Sequence, residues 1–508
     1  MSDWVCIMGE KAPKQIIANL IDTEESRIAI LDGRGRLCDF FIERSMDHQR
    51  TNEIYKAKVD NVLQGMHAAF LNLGDGKNGF LYLADARGID VKPGKDMLVQ
   101  VVKNARKDKG ARVSPRLSLA GRYLVLIPGG KETGVSKRIE DEAERERLRD
   151  ILRECKPENC GVIIRTAAVN AEKGALLSDI RELTLLWEKI QADAAQNSAP
   201  CLLHREPGLL ERVLRDELND DICEIVVDTE EDCENIKTCV KQFMPGKEID
   251  VTYYGGTAPV FDVYGIEKQL LEAQERKVWL SSGAYLVIDQ TEALTVIDVN
   301  TGKFTGSKNL DDTVFKTNME AASEIARQLR LRAIGGIVII DFIDMATKEE
   351  NDMLVAELNR QFKEDRCKVK IHGVTDLGLV EITRKRARLD LHTEMMHVCP
   401  RCTGLGTVEK EESVAMRIKR FIRKICCDSK DEVLLLECFR TVAEYIAETV
   451  LSSWEEEFEK KIILYGNTDI QWGKYRLDMQ GTMEQTERRI IEMQKKENRS
   501  NVYRTPSA

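Results

Sequence analysis

The stretch from residue 274 to residue 395 constrains the fold most, because strand-like and helix-like patterns alternate along it. Apolar strand patterns lead into Asp298 and Asp341, and an amphipathic helix pattern of about 25 residues lies between them. This alternation predicts an open α/β sheet whose two buried strands each end on a carboxylate. Ligands of such sheets bind at the C-terminal ends of the strands, so this edge is the first candidate site.

Two boundary signals in this stretch give local predictions. Gly335 and Gly336 follow the amphipathic helix and are expected to end it as a C-cap pair. Thr347 and Glu350 have the spacing of a capping box and predict the start of the next helix.

The residues at the strand ends suit a hard metal ion. Asn300 follows Asp298 by two positions and so lies on the same face of its strand. Two carboxylates with an amide nearby predict a Mg²⁺ site, which could activate a water for attack on a phosphodiester. A single strand-end Asp is most often a turn or N-cap residue. The pair Asp298 and Asp341 within one domain favours catalysis.

Composition narrows the class of protein. The 508 residues require several domains, and 43% hydrophobic with 32% charged residues is typical of a soluble globular chain. No apolar run has the length of a membrane span and the N-terminus lacks a signal peptide, so a cytoplasmic location is expected. The formal charge of -10 argues against a protein that coats nucleic acid. The 14 cysteines are scattered, and reduced thiols are expected.

A β-rich segment near the N-terminus predicts a small barrel. Its short strands and glycine turns suit an OB-type barrel, which binds single-stranded nucleic acid by stacking bases on aromatic side chains. Phe70 and Phe80 lie in it, and the basic run Lys103–Arg116 closes it. The alternative that both rings are core stays open. Thr383–Arg388 is a second basic run. The functional interpretation of both runs is contact with nucleic acid, and the alternative is a solvated basic surface.

The remaining segments are mixed. The first strands form a predicted hairpin around the turn DGRG, and residues 209 to 266 suggest an α/β unit. The strand GVII leads into the hydrogen-bond donors Arg165 and Thr166. The residues after 409 predict a small α/β unit that finishes in a charged helix.

Cys399 and Cys402 form the one CxxC pair of the chain. Two thiolates at this spacing are half of a structural zinc site, which needs four ligands. A thioredoxin-like redox pair would open a helix, and Gly404 and Gly406 argue against a helix there. The remaining option is a zinc site shared by two chains.

Together, the barrel, LTVIDVNTGKFTG, ARQLRLRAIGGIVIIDFIDM, GLVEITRKR and CPRCTGLGTV resemble the bacterial ribonuclease E/G family. The resemblance covers the chain to about residue 410. DVNTGKFTG, and the lack of a long Arg- and Pro-rich C-terminal region before residue 508, are more similar to the short ribonuclease G branch.

The resemblance implies roles for particular residues. The catalytic Mg²⁺-binding aspartates are Asp298 and Asp341, supported by Asn300. The remaining implied sites are an RNA-binding set (Phe70, Phe80, Lys109), a 5′-monophosphate pocket (Gly121, Val125, Arg165, Thr166) and zinc ligands shared between subunits (Cys399, Cys402).

The resemblance also implies a multidomain architecture of α/β and β units. Its expected parts are an RNase H-like subdomain (1–47 with 211–273), an S1 domain (48–116), a 5′-phosphate sensor region (117–210), a DNase I-like catalytic domain (274–395), a zinc-link (396–408) and a small C-terminal α/β domain (409–508).

The implied function is a Mg²⁺-dependent endoribonuclease. It would hydrolyse single-stranded RNA to 5′-phosphate and 3′-hydroxyl ends, respond to a 5′-monophosphate, and act in rRNA processing and mRNA decay. The implied assembly is a homodimer or a dimer of dimers held by Zn²⁺. The alternative is a non-catalytic S1-domain RNA-binding or assembly protein, which would not need the intact set Asp298, Asn300 and Asp341.

Overall fold

The computed structural model describes residues 13–45, 50–105, 110–244, 246–302, 310–363, 365–426, 431–497 and 502–505. The chain divides into two compact units, residues 1–392 and 393–508. Each unit has its own sheets and hydrophobic cores. Among the described residues, no helix has both the length and the apolar character needed to cross a membrane.

The first unit contains several sheets with helices packed on them. Its strands are β1 Lys14–Asn19, β2 Glu25–Leu31, β3 Leu37–Arg44, β4 Ile54–Leu63, β5 Ala68–Asn72, β6 Gly79–Tyr82, β7 Asp96–Lys103, β8 Arg112–Ser114, β9 Leu119–Ala120, β10 Leu124–Pro128, β11 Thr133–Val135, β12 Cys160–Ile164, β13 Cys201–His204, β14 Ile222–Val227, β15 Asp250–Tyr253, β16 Lys277–Trp279, β17 Tyr285–Gln290, β18 Leu294–Asn300, β19 Gly336–Asp341, β20 Val369–Val374 and β21 Val380–Arg384. Its helices are α1 Glu142–Cys155, α2 Lys173–Gln196, α3 Leu209–Glu217, α4 Glu230–Phe243, α5 Val260–Val263, α6 Ile266–Glu272, α7 Leu310–Leu331 and α8 Lys348–Phe362, and α9 Leu391–Met395 spans the unit boundary.

The N-terminal strands join a later part of the chain in one five-stranded sheet, in the order β15-β14-β1-β2-β3. β1 pairs in parallel with β14 and antiparallel with β2. The predicted hairpin is confirmed: the Asp32 carboxylate accepts hydrogen bonds from the amides of Arg34 and Arg36 at 2.9 and 3.0 Å, which fixes the turn.

The predicted barrel is also confirmed. β4, β5, β6, β8 and β7 follow one another, and pairing of β4 with β7 closes the ring. Closure leaves no free strand edge within the five strands, as in an OB-type barrel. Apolar residues that alternate along the strands, such as Val59, Leu71 and Val99, fill the interior. β13, from the predicted sensor region, adds to β4 outside the ring.

A second small sheet, β11-β12-β10-β9, follows the barrel. Apolar residues of α1 and α2, including Leu148, Leu152 and Ile180, share a core with Leu124 and Val162 of this sheet. The packing places the end of β12, and so Arg165, beside the turn at Gly121.

The sheet of the predicted catalytic domain has six strands in the order β16-β17-β18-β19-β21-β20. β18 and β19 are parallel neighbours. Residues of α7 and α8, such as Ile325 and Leu358, pack with Ile297 and Ile340 on one face of the sheet. The opposite face of the sheet carries the side chains of the candidate site.

The two boundary predictions for this domain have different outcomes. The capping box of Thr347 and Glu350 is present at the start of α8. The prediction that Gly335 and Gly336 end the preceding helix is wrong. Ala333, with φ of 52°, takes the left-handed position after α7, and the Ile334 amide bonds the Leu329 carbonyl at 3.0 Å in a Schellman motif.

Gly335 is needed for a different reason. A Cβ at this position would lie 2.7 Å from Cγ of Arg386, and the Gly335 carbonyl accepts a hydrogen bond from Arg386 Nε at 3.0 Å. The glycine pair therefore allows the chain to enter β19 directly against the segment after β21.

The second unit is a four-stranded sheet with helices on both faces. Its elements are α10 Glu411–Cys426, β22 Val433–Phe439, α11 Arg440–Thr449, α12 Leu451–Phe458, β23 Lys461–Asn467, β24 Tyr475–Gly481, α13 Met483–Glu497 and β25 Val502–Tyr503. The strand order is β24-β22-β23-β25, with β22 and β23 parallel. Leu434 and Leu436 of β22 face one core, and Leu435 faces the other. This agrees with the small α/β unit expected for the C-terminal region.

Candidate active site

Asp298 and Asp341 lie side by side at the ends of two parallel strands. They are cross-strand partners in the β18–β19 register, and neighbouring strands are about 4.8 Å apart. Both side chains are exposed on the face of the sheet that α7 and α8 leave open. The sequence prediction that these carboxylates come together at one sheet edge is therefore met by the register.

The strands that carry these carboxylates are buried on one face only, contrary to the expectation of two buried strands. Ile297 and Val299 are buried, whereas Val296 is 38% exposed and lies on the same face as Asp298. On β19, Ile337 is 48% exposed and lies on the same face as Asp341. Runs of Val and Ile do not distinguish these arrangements, because β-branched residues suit either face of a strand.

Asn300 is held against the first carboxylate. Its Nδ2 donates a hydrogen bond to Asp298 Oδ2 at 2.7 Å. The next residues turn away through Gly302, which has φ of 59° and whose Cβ would be 2.5 Å from the Gly283 carbonyl oxygen. Only glycine accommodates both this backbone conformation and this close approach.

The predicted phosphate pocket contains an arginine fixed at two points. Arg165 Nη1 donates to the Gly121 carbonyl at 2.6 Å, and Nη2 donates to Asp216 Oδ1 at 2.7 Å. Burial opposes ionisation of Asp216, but hydrogen bonding from Arg215 and the positive charges of Arg165 and Arg215 hold its pKa below the usual value. The carboxylate therefore stays ionised and orients the Arg165 guanidinium.

The other predicted members of the pocket surround this arginine. Thr166 is exposed, and its hydroxyl lies 3.2 Å from the Ser136 hydroxyl. Val125 is the cross-strand partner of Ile163 on β12, two residues before Arg165. The structure thus brings Gly121, Val125, Arg165 and Thr166 to one end of the β10–β12 pair.

A carboxylate of α2 shapes the turn that carries Gly121. Asp179 accepts hydrogen bonds from the backbone amides of Arg122, Tyr123 and Leu124 at 3.2, 2.8 and 3.1 Å. Burial raises the pKa of Asp179 although these amides favour its ionised form. Sequence reasoning missed Asp179 and Asp216, since each lies more than 50 residues from its partner and in an ordinary helical pattern.

The barrel presents a surface cluster of aromatic rings. Phe70 and Phe80 are cross-strand partners on β5 and β6, half-buried, with ring centroids 5.7 Å apart. Tyr82 extends the cluster at 4.7 Å from Phe80, is 43% exposed and lies under the Arg112 guanidinium. The sequence analysis did not single out Tyr82 or Arg112. Lys109 lies outside the described residues.

Three arginines of the second basic run, Thr383–Arg388, bind other parts of the protein, so the run as a whole is neither a solvated surface nor a nucleic-acid contact. Arg384 is buried and forms two hydrogen bonds with the buried Asp365, at 2.7 and 3.1 Å. Arg386 bonds the Gly335 carbonyl, and Arg388 bonds the Phe40 carbonyl at 2.6 Å. These arginines hold segments of the first unit together.

In the second unit, Cys399 and Cys402 form a knuckle. Gly404 and Gly406 have φ of 92° and 74°, as the tight turns require. Hydrogen bonds from the amides of Gly406 and Gly404 lower the pKa of the Cys402 thiol. The pair lies in turns before α10 and does not open a helix, which agrees with the argument against a thioredoxin-like redox pair.

Arg401, between the two cysteines, ties the knuckle to the domain. Its guanidinium lies 4.4 Å from the centre of the Trp472 ring and 5.0 Å from that of Phe439. Trp472 donates from Nε1 to the Glu409 carbonyl at 2.8 Å. These cation–π contacts fix the position of the turn that carries the two cysteines.

Comparison with known proteins gives matches along most of the chain. A sequence model described as "Ribonuclease E/G family" matches residues 118–387, and one described as "RNase E/G, Thioredoxin-like domain" matches residues 398–480. Ribonuclease G of Escherichia coli (strain K12) is 40% identical over 424 residues, which cover 80% of this chain and 86% of that protein. For Ribonuclease G of Haemophilus influenzae the values are 38% over 445 residues, 84% and 90%. Ribonuclease E of Nostoc sp. is 37% identical over 409 residues, covering 78% of this chain and 59% of that protein.

Matches of this extent define an endoribonuclease. The chain belongs to the ribonuclease E/G family, which confirms the resemblance carried by its motifs. The coverage of the two ribonuclease G proteins agrees with the expected likeness to the short branch. The family likeness also extends to residue 480, beyond residue 410, where the motifs of the sequence match the family poorly.

Proposed function

We propose that this endoribonuclease uses Mg²⁺ to hydrolyse single-stranded RNA, leaving 5′-phosphate and 3′-hydroxyl ends, and that Asp298, Asn300 and Asp341 carry the reaction. The observation that supports it most is the in-register carboxylate pair on the open face of the sheet, with the Asn300 amide fixed on Asp298.

The donor set fits Mg²⁺. Asp298 and Asp341 provide two carboxylates side by side, and within the described ranges no group of three or more His, Cys, Asp or Glu side chains could hold a metal ion. Mg²⁺ takes one or two carboxylates and keeps several waters. When bound, the ion would lower the pKa of a water and stabilise negative charge on the attacked phosphate.

The protein groups have separate tasks in this proposal. Asp298 and Asp341 would hold the ion from adjacent strands. The Asn300 amide donates a hydrogen bond to Asp298 Oδ2 and would orient this carboxylate toward the ion. The open face of the sheet lets a flexible single strand reach both carboxylates, whereas the buried face packs against helices.

The proposed 5′-monophosphate pocket is Gly121, Val125, Arg165 and Thr166. Arg165 uses one N–H of Nη1 for the Gly121 carbonyl and one N–H of Nη2 for the Asp216 carboxylate, and a guanidinium has five N–H donors in all. Its remaining donors and the exposed Thr166 hydroxyl suit a terminal phosphate. Occupation of this pocket would position the RNA and stimulate cleavage.

The proposed RNA path includes the barrel. Phe70 and Phe80, extended by Tyr82, offer half-exposed rings on which bases can stack, and Lys109 completes the set in the proposal. The proposed substrates are rRNA precursors and mRNA.

The fold assignments of two sheets belong to the same proposal. The order and directions of the β15-β14-β1-β2-β3 sheet are compatible with an RNase H-like subdomain, and the β16–β21 sheet is assigned to a DNase I-like domain.

The proposed assembly is a homodimer or a dimer of dimers, in which Cys399 and Cys402 of each chain share one Zn²⁺. The paired thiols, with amide donors to Cys402, fit a zinc knuckle but supply only two of four ligands.

A cleavage assay tests the central proposal. A labelled single-stranded oligonucleotide is incubated with the protein in Mg²⁺ or in EDTA, with 5′-monophosphate and 5′-hydroxyl forms in parallel. We expect Mg²⁺-dependent internal cleavage that leaves 5′-phosphate products and is faster on the monophosphorylated form. Equal cleavage in EDTA, or products with 5′-hydroxyl ends, would contradict the mechanism.

A further inference from the structure

An exposed aromatic pair lies on the same sheet as the catalytic residues. Trp279 on the edge strand β16 is 58% exposed, and its cross-strand partner on β17 is Tyr285. The two ring centroids are 5.3 Å apart, with an interplanar angle of 61°. A large ring left this open on a sheet face is unlike a core residue and indicates a contact surface.

A lysine is held over both rings. Lys277 Nζ lies 4.0 Å from the Trp279 ring centre and 3.5 Å from that of Tyr285. Among the residues that the structure describes, no carboxylate pairs with Lys277. Its charge is therefore available to an anion that approaches the same face.

The strand register connects this cluster directly to the catalytic residues. Tyr285 is the cross-strand partner of Asn300. Lys277, Val287, Asp298 and Asp341 form one continuous row across four strands. Two strand spacings, about 10 Å, therefore separate the backbone of Lys277 from that of Asp298.

We propose that Trp279, Tyr285 and Lys277 form a nucleotide-binding subsite next to the scissile phosphate, in which a base of the single-stranded RNA stacks on Trp279 and Lys277 contacts the adjoining phosphate. This inference rests on the proposed function. Aromatic faces with a neighbouring cation are the means by which proteins hold single strands without reading sequence. A protein partner seated on this row would cover Asn300 and Asp298, which argues for the substrate as the occupant.

The test combines Trp279→Ala with RNA that lacks single bases. A set of single-stranded 5′-hydroxyl oligonucleotides with one defined cut carries one abasic residue at successive positions around that cut. On the wild type, we expect one position to lower kcat/KM roughly tenfold through the lost stacking. Trp279→Ala should show a similar loss on intact RNA, mainly in KM, and no further loss when that same base is absent.

Two controls separate stacking from folding. Trp279→Phe should keep most of the activity, and Tyr253→Ala removes a 42% exposed aromatic from the edge strand β15, outside the catalytic sheet, and should change neither kcat nor KM. Wild-type kinetics for Trp279→Ala would overturn the subsite. So would a loss of activity in Trp279→Ala that is independent of, and multiplies, the loss caused by an abasic residue at every position tested. If the wild type itself does not cleave, the proposed function fails instead.

Discussion

The carboxylate of Asp179 occupies the space that a side chain at position 121 would need: a Cβ built on Gly121 would lie 2.4 Å from Asp179 Oδ1. The same carboxylate accepts hydrogen bonds from the backbone amides of residues 122–124, and the Gly121 carbonyl accepts one from Arg165 Nη1. The shape of the proposed phosphate pocket therefore depends on a contact between α2 and this turn.

Gly121→Ala should displace Asp179 and the turn. We expect a loss of about 1–3 kcal/mol in the free energy of unfolding, typical of overpacking. The preference for 5′-monophosphorylated over 5′-hydroxyl RNA should fall, while cleavage of the 5′-hydroxyl form changes little. Gly174→Ala is the matched control, because a Cβ there meets no atom within 4 Å. An unchanged preference in Gly121→Ala would place the phosphate elsewhere.

Arg165→Ala should slow cleavage of 5′-monophosphorylated RNA far more than that of 5′-hydroxyl RNA. A charge-assisted contact to phosphate is worth about 1.5–3 kcal/mol, which corresponds to a loss of roughly tenfold or more. Rates on the two substrates, measured side by side, give the ratio directly. Arg153→Ala, which removes a 67% exposed arginine side chain from α1, should leave that ratio unchanged. Equal losses on both substrates would make Arg165 a structural residue.

Asp298→Asn and Asp341→Asn should each abolish cleavage with little change in RNA affinity. The proposed Mg²⁺ would lose a charged ligand, whereas the proposed RNA binding depends on the basic and aromatic surfaces. Filter binding and cleavage at the same Mg²⁺ concentration separate the two effects. Asp289→Asn is a control from the same sheet, since that carboxylate is paired with Arg276 at 2.5 Å. Near wild-type cleavage by either active-site variant would remove that residue from catalysis.

The pair of Arg384 and Asp365 predicts a stability effect in the second basic run. Both side chains are buried, at 6% and 1% exposure. Asp365→Ala would leave the guanidinium uncompensated and should cost about 3–5 kcal/mol in the free energy of unfolding. Denaturant unfolding measures this loss, and removal of the exposed pair of Arg276 and Asp289 is the control, which should change the free energy of unfolding little because solvent screens the pair. A small effect at Asp365 would mean that water reaches the pair.

The sequence predicted the two strands that end on carboxylates because periodicity and strand termination are local signals. Asp298, Asn300 and Asp341 needed only the period of two and the parallel crossover through α7 to be placed together. The end of α7 was predicted at the wrong residues, because Ala333 takes the left-handed position that propensity assigns to a glycine. Asp179 and Asp216 could not be predicted, since their partners are chosen by packing between distant segments. The arginines of the second basic run were misread for the same reason, because burial of a charge is decided by its partner.

The last prediction concerns the two cysteines of the knuckle. Cys399 and Cys402 supply two thiolates, and a structural Zn²⁺ takes four ligands, so a two-fold axis would complete an S₄ site with one Zn²⁺ per two chains. Metal binding should then be linked to association rather than to the folding of one subunit. The double variant Cys399→Ala/Cys402→Ala should be zinc-free, shift toward monomer in sedimentation, and lose much activity while circular dichroism stays native-like. Cys223→Ala is the control, because that thiol is exposed and lies in the first unit. One full Zn²⁺ per chain by metal analysis, or a double variant as oligomeric and active as the wild type, would contradict the shared site.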